Sequence, residues 1–390
     1  MMPESRSDAI ALPVLADAAP PAPMADPRPH LLDWDAAALG DWLLDQGEPR
    51  FRANQVFRWV THRRVASFEA MTDLPKKLRV RLQDHFRLFV GDETQVSESA
   101  DGTVKLLVRW PDGGEVECVL LRDGHRRSIC VSSQVGCAMG CVFCASGLDG
   151  VERNLTRGEI VEQMLRLQAK LPESERLSHI VMMGMGEPLA NLDRVLAALD
   201  VARAPEGSGL GISPRRVTIS TVGLPPAIRK LAVRGVPFNL AVSLHAPDDE
   251  LRDRLVPVNR KVGVQELMAA ADDYFAANGR RLTFEYVLLG GINDDERAAH
   301  RLVSLLRPRN ALLNVIPYNP VAGLPYRTPS ADTIGRFRQI LEKGGVTVQF
   351  RKRKGSEIDA ACGQLRRHRR TADPATMPCT ASPAGQAKNR

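Results

Sequence analysis

Three cysteines, Cys137, Cys141 and Cys144, stand in the segment GCAMGCVFC with the spacing C-x3-C-x2-C. Thiolates this close on one loop can wrap a single metal centre. A structural zinc site closes with four ligands, and no further Cys or His follows at zinc-finger spacing; His125 and His179 are the histidines at hand. An iron–sulfur cluster ordinarily takes four cysteines. Held by three, it keeps one iron open, and an open iron suits a substrate as its ligand. The pattern therefore points to a [4Fe–4S] cluster with a free coordination site, against a zinc site completed by a distant residue or three unligated thiols.

The elements that must position these residues follow a β-α rhythm. From Ser128 onward the apolar runs SICVSS, HIVMMG, RVTIST, FNLAVSL, RLTFEYVLL, LLNVIPY and VTVQF alternate with amphipathic helical stretches. The first helix is announced by Thr156 three residues before Glu159, a capping-box pair. Such alternation implies a parallel sheet. Without a Gly-rich dinucleotide fingerprint it predicts an α/β fold with a partial TIM-type (β/α)6 barrel over residues 126–365. Barrel enzymes work at the C-terminal ends of their strands. Here those ends carry the cysteine triad, Gly186-Glu187-Pro188, Ser220, Ser243-Leu244-His245 and Asn319.

Upstream, Leu31, Trp34, Leu39, Trp42 and Leu43, then Val56, Phe57, Trp59 and Val60, recur at helical spacing. They predict a small helical domain over 30–93. TVKLLVRW and EVECVLLR flank a Pro-Asp-Gly-Gly turn and predict a β-hairpin connector over 94–125. Along the second strand Glu115 and Glu117 share one face and Cys118 takes the other; taken alone, both glutamates read as solvent-facing. Residues 1–29 read as a Pro/Ala-rich disordered leader, and 366–390 as a basic, disordered tail.

The chain has 390 residues, with 53 Lys and Arg against 46 Asp and Glu, a formal charge of +7. That excess is modest, but it is clustered. Arg50, Arg52, Arg58, Arg63, Arg64, Lys76, Lys77, Arg79 and Arg81 fall in one short stretch; Arg351, Lys352, Arg353 and Lys354 form a second run; Arg366, Arg367, Arg369 and Arg370 form a third. A single run is ordinarily a solvated face; three together make a nucleic acid a serious partner. No apolar run reaches membrane-spanning length. Seven cysteines in a chain of this size do not resemble a disulfide framework, and the N-terminal stretch lacks a basic n-region with an unbroken apolar h-region. A cytoplasmic monomer is expected.

The triad in this setting resembles the radical SAM superfamily. That resemblance implies that the open iron chelates S-adenosylmethionine (SAM) and that electron transfer splits SAM into methionine and a deoxyadenosyl radical. It gives Gly186 and Glu187, in MGMGEP, to the SAM amino group, and Ser220, Ser243, Leu244, His245 and Asn319 to the rest of SAM. As isolated residues Ser220 and Asn319 would be ordinary strand-end polar groups. CVSSQVGC, MGMGEP, SLHAP, the VPVN segment and IDAACGQL together narrow the likeness. Spanning roughly residues 115–365, they resemble the radical SAM methyltransferases that act on carbon 2 of adenine in RNA.

The resemblance carries a division of labour. Cys362, in IDAACGQL, would be methylated first; hydrogen abstraction from its S-methyl group would give a carbon that adds to the electron-poor ring position. Glu117 would take the proton from carbon 2. Cys130 would attack Cys362, forming a transient disulfide that frees the RNA. Read by itself Cys130 is a buried strand cysteine, and Cys118 and Cys379 receive no role. The implied substrates are an adenine of 23S rRNA and one of certain tRNAs, with a flavodoxin-type electron donor. Two alternatives stand beside this reading. One is a sister activity at carbon 8, against which Pro188 is the discriminating residue. The other is a non-enzymatic RNA-binding protein with a structural zinc or iron–sulfur site.

Overall fold

Twelve strands and ten α-helices, in chain order, make up the computed structural model, which describes residues 26–351 and 354–365. Residues 1–25 of the leader expected over 1–29, the tail over 366–390, Lys352, Arg353 and Cys379 lie outside the described residues. The helices α1 (Ala36–Asp45), α2 (Arg52–Thr61) and α3 (Lys76–His85) come first. The strands β1 (Asp92–Glu98), β2 (Val104–Arg109), β3 (Glu115–Asp123) and β4 (Arg126–Cys130) follow, then the short pair β5 (Gln134–Gly136) and β6 (Val151–Asn154). Beyond them run α4 (Arg157–Ala169), β7 (His179–Met182), α5 (Leu192–Arg203), β8 (Val217–Thr221), α6 (Pro225–Val233) and β9 (Asn239–Ser243). The chain closes with α7 (Asp249–Leu255), α8 (Val264–Asn278), β10 (Leu282–Leu288), α9 (Glu296–Leu306), β11 (Ala311–Pro317), α10 (Ala331–Lys343) and β12 (Thr347–Phe350).

Ten of the strands form one sheet in the order β1-β2-β3-β4-β7-β8-β9-β10-β11-β12. Every pairing from β4 to β12 is parallel, because each crossover carries at least one helix and so returns the chain in the same direction. β12 ends the row beside β11 without pairing back to β4, so the barrel is partial, as the β-α count predicts. The parallel strands are buried on both faces: Leu240, Ala241 and Val242 of β9 and Phe284, Glu285 and Tyr286 of β10 are all buried. Caps set the helix starts. Thr156 Oγ1 accepts from Glu159 N at 3.1 Å and the Glu159 carboxylate accepts from Thr156 N at 2.8 Å, completing the predicted box. Asp248, Asp295 and Ser330 cap α7, α9 and α10 with the side-chain half of that arrangement, accepting from Leu251 N, Ala298 N and Thr333 N.

The expected hairpin is β2–β3, but it is not a separate connector. β3 pairs antiparallel with β4, so the hairpin extends the barrel sheet. A further strand, β1, lies on its outer edge. Its sequence DETQVSE is polar and largely exposed, which hides it from a hydrophobic pattern search and blunts an otherwise open edge.

The helical region docks on α4. Gly158 N donates to Asp33 Oδ1 at 2.6 Å, Arg157 to Trp34 O at 2.7 Å, and Gln168 Nε2 to Thr61 O at 2.9 Å. Glu162, buried within α4, accepts from Val90 N and Gly91 N at 2.9 and 3.0 Å and faces His30 Nε2 at 3.2 Å. Helix α4 is therefore enclosed on both sides, which explains why its polar Glu162, Gln163 and Gln168 are buried yet paired. Among the described residues no helix is long and apolar enough to cross a membrane.

Candidate active site

A single cleft at the C-terminal ends of the parallel strands is lined by Cys137, Cys141 and Cys144, together with Gly186, Glu187, Ser220, Ser243, His245 and Cys362. Residues more than two hundred positions apart in sequence thus share one wall.

The cysteine loop is the segment between β5 and β6, two strands that pair antiparallel and clasp its base. Cys137 N donates to Gly150 O at 2.9 Å. Gly136 turns the chain into the loop with φ +77°, and a Cβ there would sit 2.0 Å from Gly150 O, so glycine is required. Val142 N donates to Leu255 O at 3.1 Å, which fastens the loop's middle to the end of α7. Burial pushes the Cys137 thiol up to about 12 and raises Cys141 and Cys144 as well. Among the described residues no three Cys, His, Asp or Glu side chains gather closely enough to hold one metal ion. A cluster takes each thiolate at a different iron, and it fits three cysteines distributed along the wall of a cleft.

Glu187 follows β7 and begins the short 3-10 helix Pro188–Asn191. Its carboxylate accepts from Leu189 N at 3.0 Å and Val222 N at 2.9 Å, and its own N–H donates to Gln134 Oε1 at 2.8 Å. Burial raises it to about 7. Both oxygens keep lone pairs for a cationic ligand in the cleft. Gly186, at φ +98°, lets the chain pass Gln134, whose Cβ would lie 2.6 Å from an added Cβ.

His245 holds a left-handed backbone, φ +58°. Its Nδ1 accepts from Val287 N at 3.0 Å, and burial with the nearby Arg252 guanidinium holds the imidazole down at about 3. The ring is therefore neutral at pH 7 with its proton on Nε2, a donor. Phe143 packs edge-on against it at 4.8 Å. Beneath, the fully buried Arg252 donates to Leu244 O at 3.0 Å, Ser243 O at 2.9 Å, Val222 O at 2.5 Å and Asn259 Oδ1 at 2.6 Å. One cation thus fixes the ends of two strands.

Four expected site residues, Leu244, Asn319, Glu117 and Cys130, are not among those that line the cleft. Leu244 is fully buried in the hydrophobic core and its N–H donates to Glu285 O. Strand alternation turns it away when Ser243 faces the cleft. Asn319 does not line the cleft but donates from Nδ2 to Cys362 O at 3.1 Å, with its buried Oδ1 left without a hydrogen bond.

Cys362 lines the cleft and is exposed. Cys130, at the end of β4, lies within electrostatic reach of Cys362 and of Arg351, and burial pushes its thiol up to about 12. The Arg351 guanidinium lies within electrostatic reach of Cys362 and stands 3.9 Å from Glu285. Glu285 in turn accepts from Asn314 Nδ2 at 3.0 Å. In the sequence Arg351 is only one member of a basic run; in the fold its charge is turned toward the two cysteines. Cys118 faces the core, and burial drives its thiol far above its ordinary value.

Glu115 and Glu117 are both buried, contrary to the solvent-facing reading of an isolated hairpin, because β3 is an interior strand of the extended sheet. They differ in partner. Arg109, itself largely exposed, holds Glu115 at 2.7 Å, whereas Lys105 holds Glu117 at 2.7 Å in the interior. The N-terminal basic run also divides. Arg52, Arg64, Arg79 and Arg81 are committed to neighbouring side chains or carbonyls, and Arg50 pairs with Asp41. Arg58, Arg63, Lys76 and Lys77 are exposed.

Comparisons with known proteins agree with this arrangement. Residues 131–303 match the radical SAM superfamily, and residues 29–88 match the ribosomal RNA large subunit methyltransferase N-terminal domain. The chain is 70% identical over 340 residues to "Probable dual-specificity RNA methyltransferase RlmN" of Rhodopirellula baltica, covering 87% of this chain and 91% of that protein. It is 45% identical over 333 residues to the "Dual-specificity RNA methyltransferase RlmN" of Syntrophobacter fumaroxidans, covering 85% and 96%. The crystal structure of a radical SAM methyltransferase from Sphaerobacter thermophilus superposes with a TM-score of 0.84 at 43% identity, over 87% of this chain and 99% of that one.

Proposed function

This chain belongs to the radical SAM dual-specificity RNA methyltransferases, and from that premise we propose that it methylates carbon 2 of adenine in 23S rRNA and in tRNA through Cys362. The observation that carries the proposal is the single cleft shared by the cysteine triad, Glu187 and Cys362, with Cys130 within electrostatic reach of Cys362.

Cys137, Cys141 and Cys144 would hold a [4Fe–4S] cluster, and Glu187, Ser220, Ser243 and His245 would hold SAM. When bound, these groups supply the one-electron chemistry, both the hydrogen abstraction and the return of the electron. The remaining work falls to side chains. Cys362 as thiolate takes a methyl group from one SAM, forming an S–CH3 bond as the sulfonium S–C bond breaks. Once a hydrogen atom is removed from that methyl, its carbon bonds to carbon 2 of the adenine, leaving protein and RNA joined. Glu117 takes the carbon 2 proton. Cys130 as thiolate then attacks the Cys362 sulfur: the S–S bond forms, the S–CH2 bond breaks, and its electron pair stays with the methylene carbon, which gains a proton. Arg351 lies where a cation favours both thiolates. An electron-donating protein reduces the system from outside.

Cys362→Ala should abolish methyl transfer and keep the iron–sulfur absorbance. Mass spectrometry of digested rRNA and tRNA, which separates 2-methyl- from 8-methyladenosine, tests the position. 8-Methyladenosine, or methylation retained by Cys362→Ala, would overturn the proposal.

A further inference from the structure

We infer that Lys105 is a positioning residue that holds the Glu117 carboxylate and the Cys362 loop in one arrangement for proton removal from carbon 2. The inference rests on the reading of Glu117 as the base and deepens it.

The sequence places a lysine inside the apolar run VKLLV of β2. The β2–β3 register sets Lys105 opposite Val119. Glu117 lies two residues before Val119, so Lys105 and Glu117 project from the same face on adjacent strands. Their charged atoms meet at 2.7 Å, with side chains only 11% and 2% exposed. The neighbouring Arg109–Glu115 pair has the same separation, but its arginine is 45% exposed. Solvent screens a surface pair of that kind, and it adds little to stability. A buried pair is costly to desolvate and is weak evidence for stability; what it does supply is a fixed geometry.

Lys105 has a second contact. Its Nζ donates to Asp359 O at 3.3 Å. Asp359 lies three residues before Cys362 and adopts φ +50°, a left-handed conformation that a non-glycine side chain holds only with help from its surroundings. Gln364 supplies part of that help from the other side of Cys362: its Oε1 accepts from Ala361 N at 3.1 Å, and its Nε2 reaches Pro320 O at 3.0 Å. One ammonium thus joins the strand that carries the base to the loop that carries the reacting sulfur. Neither element touches the cysteine triad through Lys105, so the first methylation of Cys362 does not need this joint. Proton removal from an RNA already bonded to Cys362 does, since base and sulfur must then sit at a set distance.

The test uses the full-length, cluster-loaded protein with SAM, reductant and substrate RNA, and follows three readouts: methyl on Cys362, protein–RNA adduct and methylated RNA. In Lys105→Met and Lys105→Gln, Cys362 methylation should stay within about 2-fold of the parent. Adduct should accumulate and product formation should fall about 10- to 100-fold, the range for loss of one hydrogen bond to a charged group. Lys105→Arg should recover most of that loss, because it restores the cation. Wild-type turnover in both neutral variants, or equal loss of Cys362 methylation and product in both, would overturn the inference. Glu117→Gln run alongside separates the two levels. If it stalls as adduct and the Lys105 variants do not, Lys105 alone is wrong. If it turns over normally, the base and the task of Lys105 fall together.

Discussion

Ala145 donates its backbone N–H to the carbonyl of Gly363 at 2.8 Å, and this bond ties the cysteine loop to the loop that bears Cys362. Ser146 Oγ reinforces it by donating to Leu365 O at 2.5 Å. The segment that would hold the cluster and the segment that would hold the methyl carrier therefore meet as one surface, although they are far apart in the chain.

Removing the reinforcing bond should free the Cys362 loop without emptying the cysteine loop. Ser146→Ala gives up one buried hydrogen bond, about 1 kcal/mol. Alkylation of Cys362 should then be about 5-fold faster, with iron content per chain unchanged. Equal alkylation rates would show that Ser146 does not restrain Cys362.

Cys130 and Cys362 should be the pair that oxidises. Mild oxidation of the ligand-free protein should yield a Cys130–Cys362 disulfide on peptide mapping, lost in Cys130→Ala. Cys118, one face away in the core, should stay reduced. A Cys118–Cys362 bridge would reassign the resolving thiol.

Glu187 should set a pH dependence for SAM binding. Burial raises its carboxyl from 4.5 to about 7. The folded chain thus binds this proton more tightly than the unfolded chain, and the contribution of Glu187 to ligand-free stability is lost as pH rises through about 7. A ligand ammonium selects the ionised form, so SAM affinity should climb with pH and level off above about 7. Glu187→Gln should weaken binding about 10- to 100-fold, the range for a hydrogen bond to a charged group, and flatten the profile. Calorimetry at several pH values checks both; a parent profile as flat as the variant's would contradict the assignment.

Gly136 should be intolerant for a local reason. Gly136→Ala imposes an unfavourable φ on a residue whose Cβ would strike Gly150 O. The base of the cysteine loop must open, and iron bound per chain should fall well below that of the parent while the helical content stays. Full iron content would show that the loop tolerates the change.

RNA affinity should fall steeply with salt, because cationic side chains on phosphates release counterions. Lys76→Glu and Lys77→Glu, on exposed positions, should each lower the steepness of that dependence by about 1, the effect of removing a single lysine from a phosphate. Arg64→Glu should act on folding, since its guanidinium is spent on Leu171 O and Pro172 O. An unchanged slope in both lysine variants would move the RNA surface elsewhere.

Much of this is legible in the sequence because it is local. The alternation of apolar runs with capped helices foretells a parallel, partial barrel, since period and cap chemistry act within a few residues. The spacing of Cys137, Cys141 and Cys144 announces a loop ligand set for the same reason. β1 is not legible, because a polar edge strand carries no hydrophobic period. That both glutamates of β3 are inside, which arginines are spent on carbonyls, and which way Leu244 and Ser243 face depend on partners distant in the chain. Only the tertiary structure brings Lys105 to Glu117 and Asp359, Arg351 to Cys362, and Ala145 to Gly363. These pairings are made across strands and loops whose separation in sequence leaves no periodic trace, and they turn three cysteines on a loop into one wall of a shared site.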